Sequence, residues 1–278
     1  MRLQNQLMIS EPLTGGRALV LGAGGAVGIA WLAGLAAGLR DAGIDLNEAD
    51  RIVGTSAGSA VGAVLRTGQD LDRLASPPPR PEAGAASPDF ALMAQVFGIL
   101  GDPAREPAAA RRDVGALALA ADALPAETHV TRMGRIVGAV DWPDRDLRIT
   151  TVDVETGERQ VWDRASGVPL ADAVASSTAV PGAFQPVPIG GRRYMDGAIG
   201  FGANADLAAG ADVLVLVEPL AHVMPPGPVS GKTVRIGPDA ASRQAFGDNL
   251  GDLARWPDSY RAGRAQAVEA AEILRPIW

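Results

Sequence analysis

Short apolar runs alternate with longer stretches of small and apolar residues along the first part of the chain. The run Arg17–Leu21 predicts a buried strand, and a glycine-rich turn at 22–28 follows it. A helix is predicted over 29–41, and a second strand at 51–53 leads into a second helix that ends near Gly68. This alternation of strands and helices predicts an α/β fold with a parallel sheet.

The pattern changes after residue 76. Residues 76–88 are rich in Pro, Ala, Gly and Ser, which predicts a mobile loop rather than a domain boundary. Three helices are predicted next, at 90–100, 108–124 and 127–140. The first is apolar nearly all round, which favours a buried core helix. The alternative is that 76–140 forms a lid or an acyl-chain wall beside a site.

The rest of the chain predicts two hairpins and a helical C-terminal segment. The predicted elements are strands at 147–154 and 160–163, a helix at 168–179, and strands at 187–189, 192–195, 212–217 and 233–236. Residues 240–277 are predicted to be helical with an interruption at Pro257. We expect a single domain over 1–278, with its core at about 15–220.

Composition excludes several classes of function. The 278 residues include no cysteine, which excludes disulfides, thiolate nucleophiles and Cys-ligated metals. No histidine and aspartate cluster has metal-ligand spacing, so neither a metal nor a cofactor is expected. The net charge of -7 disfavours nucleic acid as a partner. No signal peptide is recognisable, and the run at 28–39 is too short to span a bilayer, so we expect a cytoplasmic protein.

The most informative motif is Gly54-Thr55-Ser56-Ala57-Gly58, between the second predicted strand and the second helix. A G-x-S-x-G pattern at such a junction is typical of a nucleophile elbow. The glycines would let the chain turn sharply and leave space around the serine hydroxyl. The alternative is an ordinary strand-to-helix turn that contains a serine.

Two roles are open to the glycine-rich turn at 22–28. Backbone N–H groups at the start of a helix can bind the pyrophosphate of a dinucleotide or the oxyanion of an acyl-transfer intermediate. The dinucleotide fingerprint needs a glycine at its sixth position, where this chain has Val27. Asp41 and Asp45 lie near the position of a ribose-binding acid, which keeps the nucleotide alternative open.

A third candidate motif, Asp196-Gly197-Ala198, directly follows the second predicted hairpin. A carboxylate at a strand end can point into a crevice above the sheet, and the alternative is an ordinary turn aspartate. A Ser-His-Asp triad is also open, and the chain has two histidines, His129 and His222. His222 follows Asp196 in chain order, as in α/β-hydrolases, although a surface-loop histidine is the simpler interpretation.

The order of these three motifs resembles the patatin-like phospholipase family. Residues 177–184 are similar to the small-residue helix end and proline bend that precede the aspartate hairpin of that family, and Asn204 and 210–213 add to the likeness. The resemblance covers roughly 15 to 220. It implies a three-layer α/β fold with a mostly parallel central sheet flanked by helices, and a Ser-Asp catalytic dyad.

Carried over to this chain, the resemblance implies that Ser56 is the nucleophile, that Asp196 is its base, and that Gly24, Gly25 and Ala26 supply the oxyanion hole. The expected activity is hydrolysis of lipid acyl esters, of phospholipase A or lysophospholipase type, through an acyl-enzyme intermediate. A thioesterase or carboxylesterase is the alternative on the same fold. From other classes, a dinucleotide-binding module and a catalytically weak lipid-binding protein remain open. Peripheral contact with a membrane or micelle surface is a further expectation.

Two residues of the turn depart from the family pattern, Gly-Gly-Gly-x-Arg/Lys-Gly. This chain has Ala23 in place of the first glycine and Val27 in place of the basic residue. Without the cation, the oxyanion loop lacks one stabilising contact. A free aspartate has a pKa of about 3.9 and is a weak base, so we also expect Asp196 to be partly buried, which would raise its pKa.

Overall fold

The computed structural model of the chain describes residues 12–79, 90–224 and 232–278. Its strands are β1 (Arg17–Leu21), β2 (Arg51–Thr55), β3 (Asp146–Asp153), β4 (Arg159–Trp162), β5 (Val187–Ile189), β6 (Arg192–Asp196), β7 (Val213–Val217) and β8 (Lys232–Ile236). Its α-helices are α1 (Gly25–Asp41), α2 (Ala57–Arg66), α3 (Phe90–Leu100), α4 (Pro107–Ala120), α5 (Ala126–Val137), α6 (Leu170–Ser177), α7 (Ala240–Phe246) and α8 (Trp256–Leu274).

The strands form one mixed sheet whose parallel part has the order β3-β2-β1-β7-β8. The strands β4 and β6 each pair antiparallel with β3, and β5 pairs antiparallel with β6. Thr150 of β3 pairs with Thr55 of β2 on one edge and with β4 on the other. Thr151 pairs with Asp196 of β6 and again with β4. The strand β6 therefore lies on the same edge of β3 as β2 and continues beyond the end of β2.

Packed helices and turns cover both faces of the sheet. On one face, α1, α2, α5, α6 and α8 pack against strand residues such as Leu19, Ile52 and Val215. On the other face, α3 and α4 pack over the ends of β3 and β6, and a short 3-10 turn at 205–208 covers the central strands. This arrangement confirms the predicted three-layer α/β fold with a mostly parallel central sheet.

The helices α1 and α8 approach each other closely because glycines lie at their contact. A Cβ atom on Gly34 would lie 2.0 Å from the carbonyl oxygen of Tyr260, and one on Gly263 would lie 2.2 Å from that of Trp31. The Trp31 side chain is fully buried, and its indole N–H donates to Ser242 Oγ in α7 at 3.0 Å. The C-terminal helices are therefore part of the main core.

Three expectations need correction. The helix α1 begins at Gly25 rather than at 29, so the glycine-rich turn itself forms the first turn of the helix. Pro257 does not interrupt α8 but lies in its first turn, where a backbone N–H has no intrahelical acceptor. The helix α3 is not a buried core helix, because Phe97 is 64% exposed and the helix packs in a separate small cluster with α4, the ends of β3 and β6, and the loop at 199–201. Most of the predicted loop at 76–88 lies outside the described residues.

Candidate active site

Ser56 lies between β2 and α2 in a backbone conformation that is uncommon for a residue with a side chain. Its φ is 52° and its ψ is -119°. Its N–H donates to Ser177 Oγ at 3.0 Å, and its carbonyl oxygen accepts from Ser59 Oγ at 2.7 Å. Strained backbone of this kind persists where surrounding contacts fix it, and it is concentrated at functional sites.

The glycines of the elbow allow close packing, whereas the sharp turn predicted for them is made by Ser56 itself. Neither Gly54 nor Gly58 has a positive φ. A Cβ atom on Gly58 would lie 2.0 Å from the Leu21 carbonyl oxygen, and one on Gly54 would lie 2.6 Å from Ser59 Cα. The start of α2 can therefore pack directly against the backbone of β1 and β2.

The structure brings Ser56 and Asp196 into contact. The Ser56 hydroxyl donates to Asp196 Oδ2 at 2.6 Å, and Asp196 Oδ1 accepts from the Ala198 N–H at 2.8 Å. Both residues are 3% exposed. Burial raises the pKa of the Asp196 carboxyl to about 6, although the hydrogen bonds from Ser56 and Ala198 act in the opposite direction. The carboxylate is thus a stronger base than a free aspartate, as the sequence analysis required.

The end of α6 holds the acid motif in place. The Asp196 N–H donates to the Ala179 carbonyl oxygen at 3.0 Å, and the Gly197 N–H donates to that of Ser177 at 3.2 Å. Because Ser177 also accepts the Ser56 N–H, it contacts both halves of the candidate dyad. This serine begins the segment 177–184 that resembles the family, and the sequence pattern alone does not indicate its role.

A buried polar network behind the dyad centres on Asn204. Its Nδ2 lies 3.1 Å from Thr55 Oγ1, 3.2 Å from Thr150 Oγ1 and 3.1 Å from the Gly197 carbonyl oxygen. The two threonine hydroxyls are 2.9 Å apart. The Asn204 backbone is left-handed, with a φ of 59°, a conformation that asparagine tolerates better than most residues. The network links the end of β2 to the acid motif, and sequence analysis did not predict it.

The glycine-rich turn contacts the elbow directly. The Gly58 N–H donates to the Gly22 carbonyl oxygen at 3.1 Å. The N–H groups of Gly25 and Ala26 lie in the first turn of α1, where no intrahelical acceptor exists, and the preceding Gly24 provides no side-chain cap. Within the described residues, the N–H groups of Gly24, Gly25 and Ala26 make no hydrogen bond, so they stay candidates for the predicted oxyanion hole at this helix N-terminus.

The two residues that depart from the family pattern are both accommodated by the turn. Ala23 does not have a positive φ, so its side chain is tolerated where the family has glycine. The Val27 side chain is fully buried in the core. Its N–H donates to the Leu250 carbonyl oxygen at 3.1 Å, so a neutral backbone contact holds this part of the turn.

The two histidines lie in different surroundings. His222 is exposed, and its ring centroid is 6.4 Å from that of Phe246. His129 is buried and stacked on Phe184, its Nε2 is 2.8 Å from Thr178 Oγ1, and burial lowers its pKa to about 3. Among the described residues, neither histidine has a hydrogen bond to the dyad, whereas Ser56 binds Asp196 directly.

A cavity of about 500 Å³ opens at the carboxyl ends of β1 and β7, and neither Ser56 nor Asp196 is among the residues that line it. Ala23 of the glycine-rich turn and Ala198 of the acid motif both line it. Most of its exposed surface is apolar, with contributions from Phe201, Leu216, Leu220 and Met224. Its charged lining residues are Arg159, Asp206 and Glu218.

The parts of the chain that the structure describes contain no group of three or more His, Cys, Asp or Glu side chains that could hold a metal ion. Within the same parts, no helix has the length and apolarity needed to cross a bilayer.

The chain is similar to two solved structures and matches the model of one protein family. The chain is similar to the crystal structure of VipD from Legionella pneumophila, with 12% identity over 92% of this chain and 67% of that chain, and a TM-score of 0.44. It is also similar to the type III effector protein ExoU, with 16% identity over 94% of this chain and 54% of that chain, and a TM-score of 0.36. The model of the family described as patatin-like phospholipase matches residues 19–209, which include the elbow and the acid motif. The chain therefore belongs to the patatin-like phospholipase family.

Proposed function

We propose that the chain is a serine acyl hydrolase that cleaves acyl esters of lipids, of phospholipase A or lysophospholipase type, with Ser56 and Asp196 as a catalytic dyad. The observation that carries the proposal is the 2.6 Å hydrogen bond between these two buried side chains. A serine hydroxyl is a weak nucleophile unless a base lies within hydrogen-bond reach, and Asp196 is that base.

In the first half of the proposed reaction, Asp196 accepts the hydroxyl proton as Ser56 Oγ attacks the ester carbonyl carbon. The tetrahedral intermediate then collapses, its bond to the leaving oxygen breaks, and Asp196 returns the proton to the departing alcohol. An acyl-Ser56 ester remains. In the second half, Asp196 accepts a proton from a water molecule that attacks this ester, and the acid is released with Ser56 reprotonated.

Backbone N–H groups would stabilise the negative oxygen of both tetrahedral intermediates. The candidates are the N–H groups of Gly24, Gly25 and Ala26 in the glycine-rich turn and that of Ala57, the first residue of α2. Loss of one such donor typically lowers kcat by about 10²–10³-fold, so the shape of this turn matters as much as the dyad.

The surroundings of the dyad favour a lipid substrate. The cavity of about 500 Å³, which Ala23 of the glycine-rich turn and Ala198 of the acid motif line, is mainly apolar and can hold part of an acyl chain. Exposed apolar side chains lie beside this cavity, because Met224 lines it and the neighbouring Val223 is 65% exposed. We propose that these side chains make peripheral contact with a micelle or membrane surface, and that the protein is cytoplasmic.

Three alternative functions differ from the proposed lipid hydrolase in features that can be tested. A thioesterase or carboxylesterase would use the same dyad and differ only in the leaving group. A catalytically weak lipid-binding protein would keep the cavity without turnover. A dinucleotide-binding module is disfavoured because Val27 stands at the position of the third fingerprint glycine and its side chain is fully buried.

Labelling with a fluorophosphonate probe tests the proposal. We expect the wild type to be labelled, Ser56→Ala to be unlabelled, and Asp196→Asn to be labelled far more slowly. The exposed Ser166→Ala is the matched serine control and should be labelled like the wild type. An unlabelled wild type, or labelling of Ser56→Ala at the wild-type rate, would overturn the proposal. The substrate class is then determined by comparing the rates of fatty-acid release from four substrates: phosphatidylcholine, lysophosphatidylcholine, an acyl thioester and a p-nitrophenyl ester.

A further inference from the structure

The backbone of Leu250 contacts the first turn of α1 from a distant part of the chain. The Leu250 carbonyl oxygen accepts the Val27 N–H at 3.1 Å. A Cβ atom on Gly25 would lie 2.6 Å from the same oxygen and 3.0 Å from Leu250 Cβ. Residue 250 therefore lies directly against the backbone of the candidate oxyanion turn.

This turn has little to fix it from within. The N-terminal cap of α1 is Gly24, which provides no side-chain hydrogen bond, and the first turn contains no acidic residue. Gly25 has a φ of 63°. Two successive glycines have many accessible backbone conformations, so contacts from outside must select the one seen here.

Those outside contacts come from two sides. On one side lies Pro219, since a Cβ atom on Gly24 would be 2.6 Å from Pro219 Cβ. On the other side lies Leu250, which satisfies the N–H of Val27 and leaves those of Gly25 and Ala26 without an intrahelical acceptor. The N–H groups of Gly25 and Ala26, which make no hydrogen bond within the described residues, are the donors proposed for the oxyanion.

The segment that carries Leu250, residues 247–252, has its own supports. The Asn249 side chain accepts the Gly251 N–H at 2.9 Å, and the Asn249 carbonyl oxygen accepts the Asp252 N–H at 3.1 Å. The Leu250 side chain packs against the same core as Leu253. The whole segment lies beyond residue 209, where the family match ends.

We propose that Leu250 is a positioning residue for the reaction: its backbone carbonyl fixes the first turn of α1 so that the N–H groups of Gly25 and Ala26 face the developing oxyanion. A segment outside the family-matched region thereby completes the catalytic site. The catalytic part of this inference rests on the proposed hydrolase function.

The test compares Leu250→Ala with Leu253→Ala. Leu250→Ala keeps the backbone carbonyl but removes the side chain that anchors the segment to the core, so the carbonyl is no longer held against the Val27 N–H. Leu253→Ala removes a similar side chain from the same core, and the Leu253 carbonyl oxygen accepts the Trp256 N–H rather than a group of the turn. Asn249→Ala removes the side-chain hydrogen bond to the Gly251 N–H at an exposed position. This second variant replaces Leu250→Ala in the test if Leu250→Ala folds poorly. We expect Leu250→Ala and Asn249→Ala to lower kcat and the rate of fluorophosphonate labelling by about tenfold or more, with KM little changed. The Leu253→Ala variant should keep kcat within about twofold of the wild type at a temperature where it is fully folded.

Hydrogen exchange measured on the peptide containing Val27 gives a readout that does not depend on activity. We expect faster exchange of this amide in Leu250→Ala than in Leu253→Ala. Unchanged kcat in Leu250→Ala and Asn249→Ala, or equal losses in Leu250→Ala and Leu253→Ala, would overturn the inference. If the wild type is not labelled, the hydrolase proposal fails, whereas the exchange comparison still decides whether Leu250 holds the turn.

Discussion

Thr150 and Thr151 are consecutive residues of β3, and they pair in register with the last residues of β2 and β6, Thr55 and Asp196. Ser56 follows Thr55 directly. The sheet therefore places the candidate nucleophile next to the carboxylate even though the two are 140 positions apart in the chain. A shift of β6 by one residue would turn the Asp196 side chain to the opposite face of the sheet, so the dyad depends on strand register.

The pH dependence of activity should reflect the burial of Asp196. The carboxylate must be ionised to accept a proton, and burial raises its pKa to about 6. We expect kcat/KM to be constant above about pH 7 and to fall about tenfold per pH unit below pH 6. The measurement is a pH-rate profile with a neutral p-nitrophenyl ester. A limb near pH 4, the position of an ordinary aspartate, would contradict this prediction.

Replacing Asp196 by asparagine should stabilise the fold at neutral pH. Since the folded state raises this pKa from 3.8 to about 6, the favourable contribution of the group is present below pH 3.8 and is lost as the pH rises through 6. The shift corresponds to about 3 kcal/mol as an upper value, and asparagine has no ionisation to lose.

Urea unfolding at pH 4 and pH 8 measures this effect. The free energy of unfolding of Asp196→Asn relative to the wild type should be larger at pH 8 than at pH 4. The comparison with the wild type cancels the other titrating groups. A difference between the two proteins that is the same at both pH values would show that the carboxylate is not perturbed by burial.

Replacing Asn204 should affect both stability and turnover. Glycine keeps the left-handed backbone at this position but leaves the Gly197 carbonyl oxygen without its side-chain donor. We expect Asn204→Gly to lose about 1–3 kcal/mol of unfolding free energy and about tenfold in kcat. The measurements are urea unfolding and steady-state kinetics below the melting temperature.

The matched control for Asn204 is Asp144→Asn. Asp144 is an exposed partner of Arg164, with a side chain that is 90% exposed, and surface ion pairs contribute little. Its loss should change stability by less than about 1 kcal/mol. Equal effects of the two substitutions would argue against a special role for the buried network.

Replacing His222 separates the proposed dyad from a Ser-His-Asp triad. His222 is exposed and has no hydrogen bond to Ser56 or Asp196 within the described part of the chain. We expect His222→Ala to keep kcat/KM within about threefold of the wild type, with the same acid limb in its pH profile. A loss as large as that of Ser56→Ala would favour the triad.

The sequence predicted those parts of the site that local residue patterns specify. Ser56 and Asp196 stand in short motifs at strand ends, and the structure places them in contact. The contacts of Asn204 and Leu250 join residues that are far apart in the chain, and no local pattern encodes them. The helix α3 was predicted to be buried because it is apolar all round, yet composition does not decide which side of a helix meets the core, and Phe97 remains exposed.

The position of β7, β8 and α8 in the fold has a consequence for any shortened form of the chain. The family match ends at residue 209, but β7 pairs with β1 in the middle of the sheet and α8 covers the Trp31 side of α1. A protein cut after residue 209 would present β1 as an unpaired edge and an uncovered apolar surface, both of which promote aggregation. The stretch that relatives share is thus shorter than the smallest piece we expect to fold alone.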